Sequence, residues 1–131
     1  MSPLTQLFET AKSARERAYA PYSKFQVGAA IRTKGGKIIA GCNVENAAFP
    51  EGVCAEGGAI SAMVLAGETE IAEVLVIADA EHCSPCGGCR QKIREFAGDD
   101  VLVHIADLNE VKKTYTMADL LPAGFELKKK V

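Results

Sequence analysis

The apolar positions at the start of the chain recur at helical spacing. Ser2 and Pro3 suit the cap and the first turn of a helix, and the apolar positions that follow are Leu4, Leu7, Phe8, Ala11, Ala14 and Ala18. The pattern predicts a helix that ends near the sequence APYSKF at 20–25. Beyond it, two stretches at 25–33 and 37–44 are rich in apolar and β-branched residues and flank a turn. Gly35 and Gly36 can take the positive φ angles of that turn, so the sequence predicts a β-hairpin.

The rest of the chain alternates between helical and strand patterns. The predicted elements are a buried helix at 54–67 closed by Gly67, an apolar strand at 73–79, a helix at 86–98, strands at 101–106 and 113–117, and a helical turn at 118–122. This order predicts an α/β fold of three layers, α/β/α, in which a mixed five-stranded sheet carries helices on both faces. Strand-helix-strand crossovers are expected to be right-handed.

Composition narrows the class of protein. A length of 131 residues predicts a single domain spanning 1–131, and 48% apolar with 24% charged residues is an ordinary globular balance. The net charge of −2 argues against a nucleic acid as partner. The first residues do not match a signal peptide, and no apolar run approaches the ~20 residues of a membrane span, so the expected location is the cytoplasm and no membrane partner is expected.

The cysteines carry the first chemical signal. There are five of them, and Cys83, Cys86 and Cys89 fall within seven residues, which favours metal or redox chemistry over a disulfide framework. Cys86 and Cys89 are three apart on a predicted helix, so their sulfurs share a face, and Cys54 begins the preceding helix. A helix N-terminus favours the thiolate form, which binds zinc. Three thiolates leave the fourth zinc position open for water, as in a catalytic site.

Glu56 lies two residues after Cys54, close enough to the predicted metal to exchange protons with its water. The sequence CAE at 54–56 followed by PCGGC at 85–89 is the pattern of zinc nucleobase deaminases, in which the glutamate is not a metal ligand. The two motifs together predict a hydrolytic deaminase.

Other interpretations use the same residues. A redox pair of Cys86 and Cys89 leaves Cys54 and Glu56 without a role. A closed structural site that adds Cys83 is also compatible with the composition, although Pro85 interrupts the reach from Cys83. From a different class, a zinc-stabilised binding module without turnover would not need Glu56.

Three further residues are of a metal-binding type. Cys42 is expected to be a small buried side chain, His104 a packed or interfacial strand residue, and His82 a residue of a polar loop. None of them is expected to displace a zinc cysteine.

Four stretches occur in the order found in one known family: YSKFQVGAAI at 22–31, GCNVENAAFPEGVCAE at 41–56, SPCGGCRQ at 84–91 and LLPAGF at 120–125. On these motifs the chain resembles the small cytidine deaminases of the all-cysteine zinc type. The resemblance implies a cytidine-deaminase-like fold, zinc as cofactor, and hydrolysis of cytidine and deoxycytidine to uridine and deoxyuridine in pyrimidine salvage. It also implies a homotetramer whose pockets are completed by neighbouring subunits. Another cytosine nucleoside, such as blasticidin S, is the alternative substrate, and polynucleotide editing is a third.

The resemblance also assigns roles to residues. Cys54, Cys86 and Cys89 would be the zinc ligands, and Glu56 would carry protons to ring N3 and to the departing ammonia. The substrate contacts that it implies are Phe25 beside the pyrimidine, Asn43 and Glu45 at the ribose hydroxyl, Ala55 at the base and Ser84 facing the leaving amine. From neighbouring subunits it implies Phe125 as an aromatic lid, with Ala47 and Phe49 near the 5′-hydroxyl.

The sequence departs from the family at one position. Many relatives carry an arginine directly after the catalytic glutamate, where this chain has Gly57. Three thiolates on Zn²⁺ leave a formal charge of −1, which such an arginine would offset. Helix N-termini and Arg90 are possible substitutes for the missing charge. Alternatively, Gly57 and Gly58 permit close packing of a helix or a subunit.

Overall fold

The computed structural model describes residues 1–129. Within them one sheet contains the strands β1 (Val27–Thr33), β2 (Ile38–Cys42), β3 (Ile71–Ala78), β4 (Leu102–Ala106) and β5 (Val111–Thr116). Their order across the sheet is β2-β1-β3-β4-β5. The helices are α1 (Pro3–Arg15), α2 (Ala55–Leu65), α3 (Gly87–Arg94) and α4 (Met117–Leu120), and a 3₁₀ turn covers Phe49–Glu51.

The sheet is mixed, as predicted. β3 pairs with β4 in parallel, whereas β1 pairs antiparallel with both β2 and β3, and β4 pairs antiparallel with β5. The hairpin of β1 and β2 turns at Gly36, whose φ is 93°; Gly35 does not have a positive φ, so that part of the prediction was wrong. Only one residue of this turn therefore requires the left-handed conformation that glycine tolerates.

Helices cover both faces of the sheet, which confirms the three-layer α/β/α architecture. On one face, Leu7 and Ala11 of α1 pack against Leu75 and Ile77 of β3. The other face forms a larger core that includes residues of α2 and α3, namely Ala55, Ala59, Ile60, Met63 and Ile93. β3 contributes to both cores, which explains its nearly continuous apolar sequence.

Two predicted helices end earlier than their sequence patterns suggest. α1 starts as expected, with the Ser2 hydroxyl accepting from Thr5 N at 3.1 Å, but it ends at Arg15. The chain then pairs with the segment after β2: Tyr19 N donates to Asn43 O at 3.0 Å, and Glu45 N donates to Tyr19 O at 2.8 Å. These bonds replace a further helical turn.

α3 ends at Arg94 rather than at Gly98, because the backbone turns towards β3. The carbonyl of Phe96 accepts from Ile71 N at 2.9 Å. Ala97 remains in the core although it lies outside the helix. The predicted core contact was correct and the predicted helix boundary was not.

Glycine at position 41 brings α2 close to the sheet. A Cβ atom on Gly41 would lie 2.3 Å from Ala59 N and 2.5 Å from Ala55 O, both on the backbone of α2. A Cβ atom on Gly58 would meet nothing closer than Cys42 O at 3.5 Å, which is an ordinary contact. The close approach of α2 therefore depends on Gly41 and not on Gly58.

Among residues 1–129, no helix combines the length and the apolar character needed to cross a bilayer. The basic run at 128–130 extends to Lys130, which lies outside the described residues.

Candidate active site

Two helices begin at the same place, and each begins at a cysteine. Cys54 is the N-cap of α2 and Cys86 is the N-cap of α3. The Cys54 sulfur accepts a hydrogen bond from Gly57 N at 3.2 Å, so it caps the helix in the manner of a serine hydroxyl. In the first turn of α3, Cys89 is almost fully buried, and its thiol donates to Cys54 Sγ at 2.8 Å. The sulfurs thus join the first turns of two helices.

Glu56 completes a compact group with these two cysteines. One carboxylate oxygen of Glu56 and the sulfurs of Cys54 and Cys89 all lie within 4.8 Å of one another, and Glu56 is only 6% exposed. Cys86 is not in this group. Its exposed side chain lines the same cavity, and its hydrogen bond with Cys89 helps to raise the pKa of Cys89. The structure therefore brings three of the four predicted metal-site residues together and places the fourth beside them.

The two cysteines of the group have pKa values that are shifted in opposite directions. The hydrogen bond from Cys89 lowers the pKa of Cys54 to about 5, with help from Gly57 N and the charge of Lys92 and against the effect of burial. The same bond raises the pKa of Cys89, and its burial acts in the same direction. Cys54 is therefore the thiolate of the pair, and Cys89 holds the shared proton.

Burial raises the pKa of Glu56, and the negative charge of Cys54 raises it further. A carboxyl group of this kind holds a proton closer to neutral pH than an exposed glutamate does. It can therefore accept and return protons during a reaction.

The group forms the base of a cavity of about 610 Å³. Six residues line its base: Cys54, Ala55, Glu56, Cys83, Cys86 and Cys89. Its walls come from the chain leading into β1, from the segment after β2, and from the 3₁₀ turn and the residues between it and α2. These residues are Tyr22, Ser23, Val27, Asn43, Val44, Glu45, Asn46, Phe49, Gly52 and Val53. The volume is in the range of cavities that bind small molecules.

Asn43 and Glu45, both predicted to bind substrate, line one wall and are held in place by backbone groups. Asn43 Oδ1 accepts from Val27 N at 2.8 Å, and its Nδ2 donates to Phe25 O at 2.9 Å. The Glu45 carboxylate accepts from the Ser23 hydroxyl, from Ser23 N at 3.1 Å and from Tyr22 N at 3.0 Å. The hydrogen bonds from Ser23 lower the pKa of Glu45, so it is an anion at neutral pH.

The other predicted substrate residues divide into two sets. Ala55 and Phe49 line the cavity, and the Phe49 ring meets Tyr22 edge-on with centroids 6.4 Å apart. Four residues do not line the cavity of this single chain: Phe25, Ala47, Ser84 and Phe125. Their assignments stay predictions.

Two residues that contact the site were not identified from the sequence. Ser23 fixes Glu45, and Lys92 places Nζ 3.7 Å from Cys54 Sγ. The signal for Lys92 was the spacing of 86, 89 and 92, because residues three apart share a helix face.

Arg90, in contrast, forms none of the described hydrogen bonds to Cys54, Cys86 or Cys89. Its guanidinium donates to Pro85 O at 2.8 Å, to Leu120 O at 3.0 Å and to Ser84 Oγ at 3.3 Å. Arg90 thus ties the loop before α3 to α4. That its charge also acts at the sulfurs stays a prediction.

The remaining cysteines and histidines lie outside the compact metal group. His104 is 4% exposed and bonds to Thr114 and Glu73 within the sheet, which confirms that it is packed. His82 is exposed and bonds to the Tyr115 hydroxyl. Cys83 lines the cavity, and Cys42 ends β2.

The site combines two hydrogen-bonded thiols at the N-termini of two helices with a buried carboxyl group, and it opens into a cavity. This combination is typical of zinc-dependent hydrolases. A family model described as "Cytidine and deoxycytidylate deaminase zinc-binding region" matches residues 1–105. The chain therefore belongs to the cytidine and deoxycytidylate deaminase family.

Individual relatives match over most of their length. The chain is 43% identical over 121 residues to a protein named cytidine deaminase from Sporosarcina psychrophila, covering 92% of this chain and 89% of the relative. A crystal structure of cytidine deaminase from Burkholderia pseudomallei superposes with a TM-score of 0.88 at 40% identity, covering 95% of this chain and all of that one. The cytidine deaminase of Mycobacterium tuberculosis gives a TM-score of 0.83 at 30% identity, with 97% and 100% covered. These structures confirm the cytidine-deaminase-like fold.

Proposed function

We propose that the protein is a cytidine deaminase that hydrolyses cytidine and deoxycytidine to uridine and deoxyuridine. The observation that carries the proposal is the position of Glu56, buried beside the Cys54 and Cys89 sulfurs at the base of the cavity. A binding module would gain nothing from burying a carboxyl group there, since burial of a charge is costly. The relatives named cytidine deaminase support the same reaction.

The donor set fits a zinc ion held by Cys54, Cys86 and Cys89. Thiolates are the ligands that zinc prefers in sulfur-rich sites, and Cys54 already favours the thiolate. When bound, zinc would lower the pKa of a water molecule and so supply the nucleophile for attack at C4 of the base.

Glu56 would move the protons of the reaction. It would take a proton from the attacking water and pass it to ring N3. It would then take the proton of the new hydroxyl group on C4 and deliver it to the exocyclic amine, as the C4–N bond breaks and ammonia leaves. Its burial raises its pKa and keeps bulk water away, so the proton stays on the path between substrate and nucleophile.

The wall of the cavity would position the sugar. Glu45 is an anion with its carboxylate fixed by Ser23, and Asn43 keeps one N–H and further acceptor capacity beyond its two backbone bonds. Both side chains suit a ribose hydroxyl. Ala55, at the start of α2, is placed to contact the base through its backbone, and Phe25 and Ser84 are proposed to lie at the pyrimidine and the leaving amine.

The oligomeric state is part of the proposal. Phe49 is 77% exposed and Phe125 is 66% exposed, which is unusual for large aromatic side chains. A homotetramer would cover them, with Phe125 closing the cavity of another subunit and Ala47 and Phe49 lying near the 5′-hydroxyl. The cytoplasm is the proposed location, and residues 1–131 are proposed to form one domain.

A spectrophotometric assay tests the proposal directly. Cytidine absorbance is expected to fall when zinc-loaded protein is added, to stay constant after a chelator has removed the metal, and to fall again when zinc is returned. If cytidine and deoxycytidine are stable in all three conditions, the proposal is wrong. Parallel reactions with single-stranded oligonucleotides separate nucleoside deamination from polynucleotide editing.

Glu45→Gln is expected to weaken recognition of the sugar. The substitution removes a charged acceptor, and hydrogen bonds to charged groups contribute about 1.5–3 kcal/mol. The loss in kcat/KM for cytidine should therefore be roughly 10- to 100-fold. Any residual turnover of free cytosine should change little, because the base has no ribose.

Glu51→Gln is the matched control, since Glu51 is an exposed acidic residue of the neighbouring 3₁₀ turn and does not line the cavity. An equal loss for cytidine and cytosine with Glu45→Gln would show that Glu45 does not act through the sugar.

A further inference from the structure

We propose that Lys92 is a positioning residue of the zinc site, whose ammonium group balances the negative charge of the thiolates and so retains the metal. Lys92 lies on α3, one turn beyond Cys89, and its Nζ is 3.7 Å from Cys54 Sγ. It therefore joins a residue of α3 to the sulfur that caps α2. This inference rests on the zinc-binding part of the proposed function and not on the identity of the substrate.

The spacing of α3 brings the cation to the metal site. Cys86, Cys89 and Lys92 recur every third residue, so their side chains share one helix face. The first turn of α3 presents Cys89 to Cys54, and the following turn carries the exposed Lys92 to the same sulfur.

Gly57 leaves open the space that Lys92 uses. A Cβ atom on Gly57 would lie 3.1 Å from Cys54 Sγ and 3.4 Å from Lys92 Nζ. A side chain at position 57 would thus compete with the lysine for the outer side of the sulfur. Gly57 has an ordinary helical backbone without a positive φ, so conformational freedom does not explain the glycine.

With zinc bound, the site would carry a net negative charge that a nearby cation would balance. Zinc with three thiolates carries a formal charge of −1, and Glu56 adds to it whenever it is ionised. The two helix N-termini contribute roughly half a unit charge each, but they lie on the axis of each helix. Within the part of the chain that the structure describes, Lys92 is the cation that bonds to one of these sulfurs, because Arg90 is engaged by backbone carbonyls.

Removal of the cation should weaken zinc retention. Without it the negative charge of the thiolates is no longer offset by the ammonium group, and the metal leaves more readily. Replacing a group that hydrogen-bonds to a metal ligand typically costs about 10- to 100-fold in metal affinity. Lys92→Met, which keeps the length of the side chain but not its charge, should release zinc at least about 10-fold faster.

The experiment compares four zinc-loaded variants with the wild type. Zinc release into a chromogenic chelator is followed by absorbance for Lys92→Met, Lys92→Arg, Lys113→Met and the double variant Lys92→Met with Gly57→Arg. Lys92→Arg should release zinc at nearly the wild-type rate, because it keeps the charge. Lys113→Met should do the same, since Lys113 lies on β5 away from the cavity and controls for the change in net charge. The double variant should recover much of the loss, because it supplies a cation to the same sulfur from α2.

A merely structural role of Lys92 predicts a different pattern. In that case the zinc-stripped Lys92→Met protein would unfold at a lower temperature than the stripped wild type, and neither arginine would restore retention. The proposal expects equal unfolding of the stripped proteins. Zinc release from Lys92→Met at the wild-type rate overturns it, as does a wild-type protein that holds no zinc. None of these readouts uses cytidine, so failure of the deaminase assay would leave the result interpretable.

Discussion

Glu56→Gln is expected to lower kcat for cytidine by a factor of about 10²–10⁴, the usual contribution of a positioned acid-base group. Glutamine has nearly the same shape, so the cavity and the contact with Cys54 and Cys89 should persist while proton transfer is lost. Steady-state kinetics with cytidine measure the loss, and metal analysis should show an unchanged zinc content, since Glu56 is not expected to bind the metal.

The substitution also separates an enzyme from a binding module. Glu70→Gln is a suitable control, because Glu70 is an exposed glutamate outside the cavity. If Glu56→Gln retained wild-type kcat, the role of Glu56 as proton carrier would be excluded. If Glu56→Gln instead lost its zinc, Glu56 would be a ligand, and Cys86 would need another role.

Cys54→Ser should remove zinc while leaving α2 intact. The Cys54 sulfur has two functions: it accepts from Gly57 N as a helix cap, and it is a predicted metal ligand. Serine is among the best N-cap residues, so its hydroxyl can replace the sulfur in the first function. It cannot replace it in the second, because a neutral hydroxyl is a poor zinc donor beside thiolates.

The expected loss of zinc affinity exceeds the roughly 10- to 100-fold typical of groups that only support a ligand, and activity should fall with it. Cys42→Ser is the matched control, because Cys42 is a partly buried cysteine at the end of β2 that does not line the cavity. Metal analysis of both variants measures the zinc content, and circular dichroism shows whether the helices persist. One equivalent of zinc in Cys54→Ser would contradict the proposed ligand set.

The sequence predicted those parts of the fold that depend on local pattern. The α1 cap at Ser2, the glycine after α2 and the apolar sequence of β3 are all read from neighbouring residues, and the structure confirms them. The ends of α1 and α3 were wrong because they depend on distant partners. Tyr19 pairs with Asn43 and Glu45, and Phe96 pairs with Ile71, and neither contact leaves a local signal.

In the candidate site, too, some residues could be predicted from short motifs and others only from contacts in the structure. Cys54, Glu56 and Cys89 belong to short motifs with a chemical meaning, so their proximity could be predicted. Lys92 and Ser23 belong to no such motif. An exposed lysine or serine is usually solvated, so the three-residue spacing from Cys89 is a weak signal for Lys92, and Ser23 has no signal in the sequence. The three-dimensional contacts identify both residues.

The two hydrogen bonds that Asn43 forms with the backbone of Phe25 and Val27 limit how the proposed sugar recognition can change during evolution or engineering. Its side-chain amide pairs with backbone groups at the entry to β1, so the same group lies in the wall of the cavity and supports the start of an inner strand. A mutation at Asn43 alone would leave the carbonyl of Phe25 and the amide of Val27 without these partners, whatever it did to a ligand contact. Under the proposed function, new sugar preferences are therefore more accessible through Glu45 together with Ser23, because this pair lies outside the strands of the sheet.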